Sequence, residues 1–151
     1  MAVEKGDVVP PKWAGLKFFN VYGANEYHKG AMRSVIAANY ERIKNGEPLR
    51  LFRSYQADFP DGGLMRDFVY VSDCVEIVFW MLDNSFESSV DKAGSGKARS
   101  WLDLGCATFA AMEPPERIEF VDMLQALRGR YQYLTEVPIE KMRAAWCLHV
   151  T

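Results

Sequence analysis

Phe18-Phe19-Asn20-Val21-Tyr22-Gly23, followed a few residues later by His28-Lys29-Gly30, is the stretch on which the reading of this chain turns. The apolar run 16–19 predicts a buried strand, and it stops at an Asn and a Gly, residue types that accept turn geometry. A polar loop carrying Glu26, Tyr27, His28 and Lys29 comes next, before a helical pattern begins. In an open α/β sheet, ligands bind outside the carboxyl ends of strands, so this loop is a candidate site.

Working outward, Met32, Val35, Ile36, Tyr40 and Ile43 fall on one helical face, with Arg33, Glu41, Arg42 and Lys44 mostly off it. Asn45-Gly46 stops that helix, and Pro48 follows. Residues 49–52 predict a short strand. Residues 54–63, with Asp58, Pro60, Asp61, Gly62 and Gly63, predict a loop too polar and glycine-rich for a core element. Residues 68–71 are rich in β-formers and predict another strand. Asp73 reads as the N-cap of the strongest helix, with Glu76 in capping-box position. Its stripe of Cys74, Ile77, Val78, Met81 and Leu82, widened by Phe79 and Trp80, predicts a helix buried on most sides. Residues 85–99 read as a Ser/Gly/Lys-rich loop. Ser100 caps a helix through Leu102, Leu104, Phe109 and Met112, which Pro114-Pro115 closes. Residues 118–121 alternate like a strand, residues 129–133 turn into a short edge strand, and Pro138 opens a last helix over 139–146. Residues 1–15, with Pro10-Pro11, read as an extended lead-in. Short strands alternating with helices predict the α/β class.

The chain has 151 residues, 49% hydrophobic and 25% charged, which suits one domain with a real core. A net charge of −2 gives no electrostatic case for nucleic acid or an anionic membrane as partner. No apolar run approaches the roughly 20 residues of a spanning helix, and the first residues lack the apolar core of a signal peptide, so a cytoplasmic protein is expected. Cys74, Cys106 and Cys147 are widely spaced and predict reduced core thiols, with no metal-ligand spacing. Gly94-Ser95-Gly96 precedes a lysine rather than following an apolar strand, so it is rejected as a phosphate loop.

Three segments carry a resemblance: Phe18 to Gly23 with His28-Lys29-Gly30, Arg66-Asp67-Phe68-Val69-Tyr70-Val71-x-Asp73, and Gly129-Arg130-Tyr131-Gln132. Over residues 12–146 the chain resembles the C-terminal half of an extended short-chain dehydrogenase/reductase acting on a nucleotide-sugar. The Arg-Asp-Phe-Val-Tyr-Val run is common to many such epimerases and dehydratases. The His-Lys-Gly segment is more discriminating and resembles the ADP-L-glycero-D-manno-heptose 6-epimerases. The resemblance implies a homo-oligomeric enzyme with an N-terminal Rossmann domain holding NADP. A smaller C-terminal domain closes over ADP-heptose, a precursor of the lipopolysaccharide inner core. Such enzymes invert the exocyclic C6″ carbon through a transient carbonyl. Two acid/base groups serve this, the Tyr of a Tyr-x-x-x-Lys motif and the Lys of His-Lys-Gly, which is Lys29 here.

By the same resemblance Lys29 also borders the cofactor, Val21 faces it with its backbone, and Asn20 contacts the substrate. Phe52 starts the loop that holds the nucleotide, Ser54 can offer it a hydroxyl, Arg66 can pair with diphosphate oxygens, and Tyr131 contacts substrate. For His28, positioning or packing is expected rather than proton transfer. An amine serves as base at neutral pH only where its surroundings favour the neutral form.

Departures from the family pattern bound what is expected. Ala31 and Ala38 replace a hydroxyl and a His, and Arg53-Ser54-Tyr55 replaces Glu-Gly-Ser. The loop 57–64 is longer than usual, and Ser88-Ser89-Val90-Asp91-Lys92 lacks the apolar strand expected there. Residues 147–151 diverge from the family. The sequence has no Gly-rich phosphate loop and no Tyr-x-x-x-Lys in a suitable context; Tyr22 is followed four residues later by Glu26. The expectation is a single partial domain with most of the Rossmann domain missing, inactive alone and exposing apolar surface. The alternatives are another nucleotide-sugar epimerase or dehydratase, or a sugar-nucleotide-binding module without turnover.

Overall fold

The computed structural model describes residue 10 and residues 12–140. In chain order the elements are β1 (Ala14–Phe18), β2 (Asn20–Tyr22), a 3-10 segment (Tyr27–Met32), α1 (Val35–Lys44), β3 (Leu49–Phe52), β4 (Met65–Arg66) and β5 (Phe68–Tyr70). There follow α2 (Val71–Asp83), β6 (Ser89–Ala93), β7 (Arg99–Ser100), α3 (Trp101–Met112), β8 (Ile118–Val121), α4 (Gln125–Arg128) and β9 (Leu134–Thr135). The α/β class stands, and parallel pairing dominates: β1 with β6, β2 with β5, β3 with β8 and β4 with β9, while β7 joins β4 antiparallel.

The first strand changes partners at Phe19. Phe18 stands opposite Ala93 of β6, and the Phe19 N–H still donates to the Ala93 carbonyl at 3.0 Å. One residue later the Asn20 N–H donates to the Asp67 carbonyl at 3.1 Å, and the chain continues along β5. Two neighbouring strands therefore part company at Phe19, and Asn20 sits where they diverge. This first strand is half-buried rather than buried, because α2 covers it from one side only.

Three apolar clusters hold the elements. Ile77, Met81, Ala93 and Ile139 pack α2 on β1 and β6. Ile43, Leu49, Leu51 and Phe109 join α1, β3 and α3. Leu64, Met123 and Tyr133 close the base of the 54–63 loop.

Several expectations are corrected. Residues 89–93 form β6, not a loop. The pattern misleads because the inward positions are Asp91 and Ala93, whereas Val90 is 67% exposed. Helix α2 starts at Val71, and its N-cap Tyr70 makes no side-chain bond; Asp73 lies inside the first turn, where its charge meets the helix dipole. Only Cys74, Ile77 and Met81 of α2 are buried, leaving Val75, Val78, Phe79 and Leu82 exposed. The first helix begins after Ser34, whose hydroxyl accepts from the Ala37 N–H, so Met32 lies outside it and is exposed. The 68–71 strand is β5, which ends at Tyr70 because Val71 opens α2, the two-residue strand β4 before it was not expected, and the final strand is β9, one residue beyond the expected 129–133. The 54–63 loop is a loop, yet its end is core: Gly62 and Gly63 are buried.

Other readings hold. Ser100 and Asp103 form a reciprocal capping box on α3, with N–H···O distances of 2.9 and 3.0 Å. Cys74 and Cys106 are free thiols whose pKa values burial pushes up. Cys147 and most of the expected last helix lie outside the described residues. No helix among the described residues is long and apolar enough to cross a membrane.

Candidate active site

Strand β2 delivers Asn20, Val21 and Tyr22 to the point where its neighbours diverge. A cleft of about 340 Å3 opens there, lined among others by Asn20, Val21, Arg33, Ser34, Phe68 and Trp101. A second cleft of about 470 Å3 shares Tyr22, Phe68 and Leu104 with it and adds Ser95, Lys97 and Arg99. Burial pushes the Tyr22 phenol up from its ordinary pKa, with Asp73 and Tyr70 adding to the effect, so it stays protonated at neutral pH.

The turn that follows carries Lys29. Gly23 has φ +155°, and a Cβ there would lie 2.4 Å from Val71 Cγ1, so only glycine fits. Glu26 folds back under the turn, and its carboxylate accepts from Gly23 N–H (3.1 Å), Ser34 N–H (2.8 Å) and Ser34 Oγ (2.7 Å). Lys29 Nζ donates to the same carboxylate at 3.4 Å. Glu26 is 4% exposed. Burial alone would raise its pKa, but the bonds from Ser34 and Gly23 and the charge of Lys29 outweigh that, and the pKa falls below the usual carboxylate value. Gly30 adopts φ 53°, ψ −123°, a conformation closed to residues with a Cβ, which turns the chain just after Lys29. His28 is exposed, and Ala31 and Ala38 are exposed as well.

A second group lies on the other side of Asn20. Phe52 meets Tyr131 edge-on at 5.9 Å between ring centroids, and the Arg66 guanidinium lies 5.4 Å from the Tyr131 ring. Arg66 is 8% exposed, donates to the Met65 carbonyl at 2.7 Å, and forms no ion pair among the described residues. Burial draws its pKa down from the usual guanidinium value, and Tyr131 opposes that. Asn20 Nδ2 lies 3.5 Å from both the Asp67 carbonyl and Thr135 Oγ1, and Thr135 stands opposite Arg66 in register. Thus Asn20, Arg66, Tyr131 and Phe52 form one chain of neighbours. Ser54 does not join it: its hydroxyl donates to Gln56 O and accepts from Gln56 N–H, and its N–H donates to Asp61. Arg53 and Tyr55 pin the same loop, through Asp61 at 3.2 Å and Asp122 at 2.8 Å, with Arg128 stacked 3.8 Å over the Tyr55 ring.

Sequence reading assigned no role to Asp67, which is 0% exposed. Its carboxylate accepts from Ser95 N–H and Oγ (both 2.7 Å), Gly96 N–H (3.0 Å) and Val137 N–H (3.0 Å). An acidic residue in a run of β-formers, with a Gly-Ser-Gly turn further on, was the available signal. The Gly-Ser-Gly turn does cradle an anion, but the anion is the protein's own. Its donors are spent on Asp67, so this turn leaves none for a pyrophosphate.

Residues 12–92 match the model of the "NAD dependent epimerase/dehydratase family". The chain is 54% identical over 134 residues to the ADP-L-glycero-D-manno-heptose-6-epimerase of Nitratidesulfovibrio vulgaris (strain DP4), covering 89% of this chain and 42% of that protein. It is 46% identical to the Fusobacterium nucleatum protein of the same name, with the same shares covered. The chain thus spans about 42% of the length of these curated relatives. The Helicobacter pylori ADP-L-glycero-D-manno-heptose-6-epimerase superposes with a TM-score of 0.69 at 22% identity, over 90% of this chain and 38% of that one. The Thermus thermophilus UDP-glucose 4-epimerase, solved with NAD, gives 0.66 at 27% identity, over 89% and 41%.

Proposed function

The chain belongs to the NAD dependent epimerase/dehydratase family, and from that premise we propose that it forms the substrate-side wall of an ADP-heptose 6-epimerase. The observation that carries this reading is the Lys29 turn, anchored on a buried carboxylate at the carboxyl end of β2, next to the cleft lined by Asn20. The names of its relatives at 54% and 46% identity support ADP-heptose as the substrate.

The cofactor of this reading is NADP, whose nicotinamide supplies the reversible oxidation of the exocyclic C6″ carbon. Lys29 is exposed and paired with Glu26 here, and it exchanges a proton with the C6″ oxygen from one side of the sugar, as general acid and base, once bound cofactor and sugar exclude water from it. Asn20 fixes the sugar by hydrogen bonding, and Val21 presents its backbone to the cofactor. The Arg66 fork meets the diphosphate, a natural partner for a guanidinium with no carboxylate on it. Tyr131 and Phe52 supply aromatic surface for the nucleotide. The Ser54 hydroxyl is engaged within its own loop and is not assigned to the nucleotide.

Among the described residues the tyrosine on this cleft, Tyr22, is followed four residues later by Glu26 rather than by a lysine. Tyr40 and Lys44 have the Tyr-x-x-x-Lys spacing, but they stand on α1, exposed, and neither lines the cleft that holds Asn20. Substrate affinity without turnover is therefore expected of the 151-residue chain. Calorimetric titration with ADP-heptose and with UDP-glucose, alongside an epimerisation assay, tests this. Saturable heat with ADP-heptose alone is the expected result. Equal binding of UDP-glucose would favour another nucleotide-sugar epimerase or dehydratase, and epimerisation by this chain would overturn the assignment of roles.

A further inference from the structure

The segment that carries Lys29 has no packing to hold it. None of the residues of the 3-10 segment Tyr27–Met32 is buried, and the flanking Ala24 and Asn25 are exposed too. Beneath this solvent-facing turn lies one charged group that is 4% exposed, Glu26. A carboxylate is buried without large cost only when hydrogen bonds replace its water. Here the donors come from both ends of the turn, Gly23 on one side and Ser34 on the other. Ser34 is also a wall residue of the cleft that holds Asn20 and the N-cap of α1. The same carboxylate takes Lys29 Nζ, and the Lys29 N–H donates to the Glu26 carbonyl at 3.0 Å. Spacing of three residues brings the two side chains onto one face of the turn.

We propose that Glu26 is the positioning residue for Lys29: it staples the Lys29 turn to strand β2 and helix α1, and it holds Lys29 Nζ on the carboxylate oxygen that also takes the N–H of Ser34, a wall residue of the cleft. This rests on the reading of Lys29 as the acid/base group. A free lysine samples many rotamers of a four-carbon stem, whereas one docked on a fixed carboxylate starts each encounter from a single place. Glu26 touches neither substrate nor cofactor in this scheme; it acts through Lys29.

The test uses the 151-residue chain and limited acylation by an amine-reactive reagent, read at each lysine by mass spectrometry with the exposed Lys97 as internal reference. Glu26→Gln keeps the shape and an acceptor oxygen but removes the charge. Labelling of Lys29 relative to Lys97 is expected to rise about threefold, a factor suited to a partly exposed ion pair. Ser34→Ala removes one strand of the staple while leaving the carboxylate beside Lys29. It is expected to speed hydrogen exchange at the Gly23 and Ala37 amides and to leave Lys29 labelling at the unmutated level. An unchanged Lys29 in Glu26→Gln overturns the proposal, as does an equal rise in Ser34→Ala, which would make Glu26 a structural staple only. Should Glu26→Gln fail to fold, about 1 M salt in the unmutated chain screens the pair, and the same rise at Lys29 is expected; no rise overturns the proposal. These readouts require no bound nucleotide, so failure of the ADP-heptose titration and failure of the positioning role are told apart.

Discussion

Arg66 is a guanidinium kept almost dry, with an aromatic face and a backbone carbonyl for company and no carboxylate within ion-pair distance among the described residues. Lysine at this position keeps the charge but loses both the planar contact with Tyr131 and the fork geometry. Arg66→Lys is expected to weaken ADP-heptose binding about tenfold, roughly 1.4 kcal/mol, as read by calorimetry. Glu26 makes a prediction of opposite character, on stability. Its pKa in the folded chain is depressed, so its contribution is fully present above the unfolded carboxylate pKa and is lost as pH falls through the folded value. Thermal melts over acid pH should show Tm falling in that window for the unmutated chain, and a flatter profile for Glu26→Gln. A matching profile in both proteins would rule out this source of pH dependence.

At the level of elements, one expected cap stands and another does not: Ser100 caps α3, whereas α2 starts two residues before Asp73. The Ser100 cap was readable because it needs only one residue type just before an apolar helical pattern, the reciprocal bond from Asp103 being seen in the structure, and Ser100→Ala should cost about 1 kcal/mol, or a Tm loss of about 2–4 °C in a domain of this size, measured by calorimetric melting. Helix α2 shows the limit of the same method. Its sequence is apolar on nearly every side, which pattern reading takes for burial, but coverage depends on how many layers the neighbours form, and among the described residues it is the Ile77 and Met81 face that packs, on β1, β6 and Ile139. Strand β6 is the converse case. With Asp91 and Ala93 inward and Val90 outward, its polarity is inverted relative to an ordinary half-buried strand, so no periodic signal marked it. The site divides similarly. Lys29, Asn20 and Arg66 were reached through motifs, whereas Asp67 acts through backbone donors 28 to 70 residues away and Glu26 through the two ends of an irregular turn, and no helix or strand period announces such partners.

For the molecule as a whole, Val75, Val78, Phe79 and Leu82 leave an apolar face on α2 open to water. Replacing Phe79 and Leu82 by lysine should raise the concentration at which sedimentation shows a single monomeric species, and should leave stability within about 0.5 kcal/mol because both side chains are exposed. A large stability loss would mean that the face is packed after all. Asp67 carries the remaining consequence, which concerns the order of events in time. Its carboxylate is satisfied by donors 28, 29 and 70 residues away in sequence. Strand pairs and helices can assemble while those donors are still solvated, so the carboxylate finds its full set of partners only when two remote segments, at 95–96 and at Val137, have both arrived. Such late contacts govern how long a native chain lasts rather than how fast it forms. Asp67→Ala should therefore speed unfolding in stopped-flow denaturant jumps, with refolding rates little altered, and a slowed refolding limb would place the carboxylate among the early contacts instead.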